Sequence, residues 1–153
     1  MFSKKIYDSW RTLQYEKFAF LLDKFPSFFS GRVLDVGCGE NFLREFLQEK
    51  DVVASTIGVD LDQGDVIADA NSLPFRDATF SRIICVDALH LFENDSSRLL
   101  KKGGLFLTGT FFNDANYNKK REMLARKLAG LEILEEVIFP GKEKEIFILA
   151  KRL

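Results

Sequence analysis

Histidine, cysteine and proline are scarce in this 153-residue chain, which has one His, two Cys and three Pro. Cys38 and Cys85 show no CxxC spacing, and with a single imidazole beside them the soft ligands are too few for a zinc site, so no metal is expected and both thiols are read as reduced. No stretch approaches the roughly 20 apolar residues of a membrane span. The opening Met1–Lys5 runs into a mixed polar and aromatic segment rather than the apolar core of a signal peptide, and a cytoplasmic protein is the expectation. Neither sign of charge is in excess: a formal net charge of -1 and a pI near 5.9 provide no overall drive toward a polyanion. What the chain does have is apolar bulk, with 46% hydrophobic residues and 16 Phe. That composition supports a compact globule, and two halves would each be too small to bury a sound core, so residues 1–153 are expected to form one domain.

Hydrophobic spacing predicts the elements. Ile6, Trp10, Leu13, Lys17/Phe18, Leu21/Leu22 and Phe25 recur at steps of three and four, marking a helix from about Ser3 to Phe25 that Pro26 and Gly31 end. Arg32–Val36 reads as an apolar strand entering Gly37-Cys38-Gly39, and Asn41 opens a second helix with Phe42, Leu43, Phe46 and Leu47 on one face. Thr56–Leu61 is a strand ending in the acids Asp60 and Asp62, and Asp65–Ala68 is a rudimentary third, too close behind it for a helical crossover. Phe80–Asp87 is a near-continuous apolar strand of the kind buried on both faces. A brief helix over Asp95–Leu100, a turn at Gly103-Gly104, a strand over Leu105–Phe112 and a helix over Asn116–Ala129 follow. Leu131–Phe139 and Glu145–Ala150 form a hairpin across Pro140-Gly141. This is an α/β pattern: a mostly parallel sheet with an antiparallel edge and helices on both faces.

In such a sheet ligands bind beyond the carboxyl ends of the strands, where the strand order reverses, and the Gly37-Cys38-Gly39 turn belongs there. Glycines let the backbone turn tightly beside a ligand, and the helix that follows offers unpaired N–H groups. A dinucleotide fingerprint would need glycine at position 42, where Phe42 stands, and no GxxxxGK[ST] run exists for a P-loop. A nucleotide-dependent oxidoreductase is thereby disfavoured.

From Val33-Leu34-Asp35-Val36-Gly37-Cys38-Gly39 and Leu73-Pro74-Phe75 the chain resembles the class I S-adenosylmethionine-dependent methyltransferases, in the small group whose first motif reads LDVGCG. The resemblance covers roughly Arg32 to Phe112 and implies a Rossmann-like core over residues 31–153 behind an N-terminal helix region, residues 1–30. It implies that Asp35, Gly37, Cys38, Gly39 and Asn41 hold the methionine part of S-adenosylmethionine, with Asp35 toward its ammonium. Asp60, beside Leu61, matches the acid that accepts from both ribose hydroxyls. Asp69, beside Ala70, matches the acid that accepts from the adenine amino group, and Asp87 closes the site after the fourth strand. The product would be S-adenosylhomocysteine. Asn41, Ser81 and the missing helix after the second strand depart from the family's pattern.

Other residues carry weaker signals. Cys38 lacks the Pro-Cys setting of a methyltransferase nucleophile and is read as a small turn residue. His90 follows the fourth strand and is the candidate general base. Tyr7, Trp10 and Tyr15 could wall the site, since aromatic faces attract a sulfonium, although such a stripe is more often core. Lys119, Lys120, Arg121, Arg126 and Lys127 are read as a solvated helix face. After the fourth strand Asp87-Ala88-Leu89-His90 replaces the [DN]PP[YF] tetrapeptide of related amino-methylating enzymes. A small-molecule acceptor is therefore expected, with nucleic acid or protein left open. The N-terminal helix, the loop after Asp87 and Phe111–Tyr117 would form its pocket, completed if needed by a second copy or partner subunit. The alternative is a non-catalytic or regulatory subunit that binds the cofactor.

Overall fold

The computed structural model describes residues 3–93 and 96–153, apart from the Tyr7 side chain, so the expectations placed on Asp95 and on the Tyr7 ring lie outside the described residues. Helix α1 spans Lys4–Lys24, capped by Ser3, whose hydroxyl accepts the Ile6 N–H at 3.4 Å. Phe18, Leu21 and Phe25 turn its buried stripe inward, and Pro26 starts a short 3-10 turn, Pro26–Phe28, in place of further α-helix. The remaining elements are β1 (Gly31–Val36), α2 (Phe42–Glu49), β2 (Ala54–Asp60), β3 (Val66–Ile67), β4 (Phe80–Val86), β5 (Leu100–Phe111), α3 (Tyr117–Lys127), β6 (Glu132–Phe139) and β7 (Glu145–Lys151). Two further 3-10 turns, Leu89–Leu91 and Ser96–Leu99, lie between β4 and β5.

All seven strands form one sheet in the order β3-β2-β1-β4-β5-β7-β6. The chain steps outward from β1 to β3 and returns to β4 on the other side of β1, so the connections leaving the carboxyl ends of β1 and β4 go to opposite faces and leave the crevice that such a reversal creates. Strand β7 runs antiparallel to both its neighbours, β5 and β6. The antiparallel strand expected at an edge thus lies one place inside it, with β6 outermost.

Alternate residues of the central strands feed two cores. Leu34, Ile83, Phe106 and Ile148 meet Leu124 and Leu128 on one face, while Val33, Ile84, Leu107 and Phe147 meet Phe18, Leu21 and Phe46 on the other. Both sets are apolar, which is why these strands read as unbroken hydrophobic runs. Helices α1 and α2 cover one face and α3 the other. Among the described residues the β2–β3, β3–β4 and β4–β5 connections contain no α-helix. Strand β3 needs none: it pairs only Val66 and Ile67 with Val59 and Asp60, so a turn suffices. That turn is pinned where Asp65 exchanges bonds with Gly58, its N–H donating to the Gly58 carbonyl and its carboxylate accepting the Gly58 N–H, each at 2.8 Å.

Three local expectations need correction. Strand β5 starts at Leu100 and contains Gly103-Gly104, which form an irregularity within the strand: pairing jumps from Phe80↔Leu100 to Arg82↔Leu105, and Gly103 takes φ +78°. Asn41 precedes α2 in the left-handed conformation (φ 60°), with no side-chain cap bond. The basic residues of α3 are not a uniform solvated face. Arg121 grips Glu136 with bonds of 2.7 and 2.8 Å, the Lys120 ammonium lies over Phe111, and Lys127 donates to the Phe92 carbonyl, leaving Lys119 and Arg126 exposed. Among the described residues no helix is long and apolar enough to cross a membrane.

Candidate active site

The turn leaving β1 is fastened to β2, because the N–H groups of Gly37 and Cys38 both donate to the Val59 carbonyl, at 2.8 and 3.1 Å. Gly37 takes φ +76°, and a Cβ there would lie 2.7 Å from the Ala88 Cβ. Both the backbone angle and the space demand glycine. Cys38 fills a gap that two further glycines leave open, its Sγ lying 2.7 Å from where a Cβ on Gly58 or Gly64 would sit. Burial pushes its thiol up to about 12, so it is held as an unreactive thiol.

Carboxylates surround this turn. The Gly39 N–H donates to Asp60 Oδ2 at 3.0 Å and the Asp62 N–H to Oδ1 at 3.3 Å. An ionised carboxylate offers about four lone-pair sites, so both oxygens keep capacity for further donors. Asp35, at the end of β1, is 8% exposed. Burial pushes its pKa up to about 7, opposed by Arg44 and assisted by Asp60. Asp69 accepts the backbone and side-chain N–H groups of Asn71 on one oxygen, Oδ1, both at 2.8 Å.

Two cavities open at the carboxyl ends of β1 and β4. One, about 370 Å³, is lined by Trp10, Gln14, Phe18, Asp35, Gly37 and Phe42 among others, with Cys38 and Gly39 also on its wall. The second, about 340 Å³, is lined by Gly37, Asp60, Leu61, Asp69, Ala70 and Asp87 among others. Gly37 and Val86 belong to both, so the cavities meet over the glycine turn. A roomier depression of about 1010 Å³ lies at the opposite, amino ends of the strands, beside Gly31, Ala54 and Phe80. Of the ten residues expected from sequence to hold the cofactor, nine line the two cavities: Asp35, Gly37, Cys38, Gly39, Asp60, Leu61, Asp69, Ala70 and Asp87. Asn41 is set beneath the turn, its side chain crowding Gly58. Trp10 is on the cavity wall, whereas Tyr15 packs against Phe46 and donates to Glu45.

His90 lies in the Leu89–Leu91 turn with Nδ1 buried and without a hydrogen-bond partner. Burial, with Lys120 and Lys127 adding to it against Asp87, lowers its pKa, so the ring is neutral at pH 7.

A polar cluster beside the cavities was not foreseen. Lys17, fully buried on α1, places its ammonium 3.0 Å from Asp87 Oδ2, 3.0 Å from Glu143 Oε1 and 3.1 Å from Glu145 Oε1. Burial alone would push the Lys17 pKa down, but Glu145 and Asp87 outweigh it and hold the ammonium charged. Glu145, also fully buried, is pushed up to about 10 by burial and by its hydrogen bond with Asp87, so at neutral pH these two carboxyl groups hold one proton between them and keep one negative charge toward Lys17. The three carboxylates stand within 4.8 Å of one another, a spacing that could serve a metal ion, but the Lys17 ammonium bonds to all three. The available signal was polarity in the wrong place: a lysine inside the apolar period of α1 and a glutamate heading the apolar run of β7.

Residues 34–108 match the family model described as a methyltransferase domain. Solved structures similar in fold include an S-adenosylmethionine-dependent methyltransferase from Aquifex aeolicus (15% identity, TM-score 0.61, 80% of this chain and 82% of that one). A protein from Pyrococcus horikoshii shares 15% identity at a TM-score of 0.65 over 94% of this chain and 92% of that one. A Lactococcus lactis chain described as a candidate hemolysin shares 11% identity at a TM-score of 0.73 over 92% and 87%. No curated protein matches the sequence. The match covers 75 of the 153 residues, and the chain shares the fold of the S-adenosylmethionine-dependent methyltransferases among these structures.

Proposed function

We propose that the two joined cavities hold S-adenosylmethionine and that the chain, read as one domain over residues 1–153, transfers its methyl group to a small molecule. The observation that carries this reading is the pair of cavities meeting over Gly37, with a buried carboxylate at one end and acceptors for a nucleoside at the other. Asp35 suits the ammonium of the methionine part, since a cation restores the charge that burial suppresses. Asp60, with lone pairs left on both oxygens, suits the ribose diol, and Asp69 with Ala70 suits the adenine edge. When bound, the sulfonium supplies an already activated methyl group, so the protein's own task is alignment and, where the acceptor needs it, removal of a proton. His90, the base expected from sequence, is neutral, but its Nδ1 is buried and it lines neither cavity, so it would take that proton only if the Leu89–Leu91 turn moved.

A third cleft of about 600 Å³ lies between Leu13 of α1, Phe112–Asp114 after β5 and the Lys142–Lys144 turn. We assign it to the acceptor. Its walls include two of the three segments expected there, and the β6–β7 turn takes the place of the loop after Asp87. A second reading, a non-catalytic cofactor-binding subunit, is favoured by the lack of an α-helix among the described residues between β2 and β5.

Titration calorimetry with S-adenosylmethionine and with NAD tests the cofactor assignment. One-to-one binding of the first and none of the second is expected. Because the Asp35 pKa is raised from 3.8 to about 7, a cationic ligand must release its proton below pH 7. Affinity should therefore rise roughly eightfold from pH 6 to pH 7.5 in the limit that only ionised Asp35 binds. The same shift acts oppositely on the empty protein: the folded state holds the proton more tightly, so this contribution to stability is present below pH 3.8 and lost as pH rises through about 7. Affinity that is flat with pH would remove the ammonium role from Asp35, and equal binding of NAD would overturn the cofactor assignment.

A further inference from the structure

Lys17 stands at a junction. On the same stretch of α1, Gln14 and Phe18 wall the first cavity and Leu13 walls the acceptor cleft. Its ammonium reaches Asp87, which lines the second cavity directly after Val86, one of the two residues both cavities share. Asp87 takes φ 60°, and its N–H is tied to the Gly109 carbonyl at 2.9 Å, so the carboxylate is held at the strand end. Only Oδ2 of that carboxylate meets Lys17, while Oδ1, like Oε2 of the fully buried Glu145, is buried with no donor other than the proton these two carboxyl groups hold between them. With three carboxyl groups on one ammonium and one proton held between Asp87 and Glu145, the cluster carries an excess of negative charge close to where the cavities meet.

We propose that Lys17 is a positioning residue of the methyl-transfer site: by holding and partly neutralising Asp87 it sets how strongly the site prefers the sulfonium of S-adenosylmethionine over the neutral thioether of S-adenosylhomocysteine. This rests on the cofactor assignment above. The two ligands differ at the sulfur by one methyl group and one positive charge, so a change in nearby charge alters their affinity ratio. A change in packing alone alters both affinities together. An unneutralised carboxylate would hold the sulfonium too well before transfer and favour the product too little after it. In a half-buried setting a unit charge several ångströms away is enough to shift the ratio about tenfold.

The test is the ratio of the two affinities, measured by calorimetry for the wild type and three variants. Lys17→Met together with Glu145→Gln removes the ammonium while keeping a neutral hydrogen-bonding group at 145. Glu143→Gln, at a half-exposed position in the turn, removes one negative charge with little threat to folding. Lys17→Arg keeps the charge. The preference for S-adenosylmethionine should rise about tenfold in the double variant, fall severalfold in Glu143→Gln and stay within twofold of wild type in Lys17→Arg. If the double variant does not fold, the opposite shift in Glu143→Gln decides alone. An unchanged ratio in Glu143→Gln, or in a folded double variant, overturns the proposal. Failure of the wild type to bind S-adenosylmethionine would instead overturn the cofactor assignment on which it rests.

Discussion

Replacing Gly37 by valine is expected to abolish S-adenosylmethionine binding, with affinity lowered at least about a hundredfold. Three effects combine at this one position. The backbone sits at φ +76°, where a β-branched residue is strained by about 1–3 kcal/mol. A Cβ would approach the Ala88 Cβ to 2.7 Å, so the turn after β1 and the turn after β4 would have to part. Gly37 also lines both cavities, and its new side chain would occupy the place where they meet. The fold should survive in weakened form, because the cores built on Leu34 and Val33 do not include this residue. Calorimetry on the folded variant checks the first statement and thermal unfolding the second. Near-normal affinity would place the ligand elsewhere on the molecule.

The second large effect is expected for Asp60→Ala, which should weaken binding by about 3 kcal/mol, on the order of a hundredfold. Hydrogen bonds to a charged group contribute roughly 1.5–3 kcal/mol each, and two would be lost to the ribose diol. The Gly39 N–H would also lose its acceptor, and with it the tie between the glycine turn and the end of β2. Asp60→Asn separates these contributions. Its amide oxygen can still accept one bond, so an intermediate loss is expected, and measuring adenosine competition alongside shows whether the nucleoside half of the ligand is the part affected. Unchanged affinity in both variants would refute the role given to Asp60.

These predictions concern the half of the site that could be read from local sequence. The glycine turn and the carboxylates of Asp35, Asp60 and Asp69 lie near the carboxyl ends of successive strands, so the order of elements in the chain brings them together without knowledge of packing. The strands themselves were legible because runs such as those of β1 and β4 feed both cores, and α1 was legible from its spacing of three and four. The failures have a common physical origin in non-local pairing. Gly103-Gly104 reads as a turn before a strand, yet pairing with β4 resumes on both sides of it and makes it an irregularity inside β5. The hairpin of β6 and β7 was expected, but its insertion with β7 against β5 is set by the sheet as a whole. Lys17 meets Asp87, Glu143 and Glu145 across 70, 126 and 128 positions of the sequence. No periodicity announces such a meeting; only the isolated charges in apolar segments hinted that partners were needed. The cleft proposed for the acceptor is hidden for the same reason, since the Lys142–Lys144 turn meets α1 there only once the hairpin has joined the sheet.

The trimmed connections sharpen the choice between an enzyme and a binding subunit. Leu61 and Leu91, both on the wall of the second cavity, are 67% and 72% exposed, so the cavity presents apolar surface that a nucleoside would cover. Binding and transfer must therefore be measured separately. The deciding measurement is incubation of the wild-type protein with methyl-labelled S-adenosylmethionine and a cell extract separated into metabolite, protein and nucleic-acid fractions. Label is expected to enter the metabolite fraction, and the Gly37→Val protein is expected to transfer none. Binding of S-adenosylmethionine with no label leaving it, in any fraction, would contradict the enzymatic assignment and identify a subunit that only binds the cofactor.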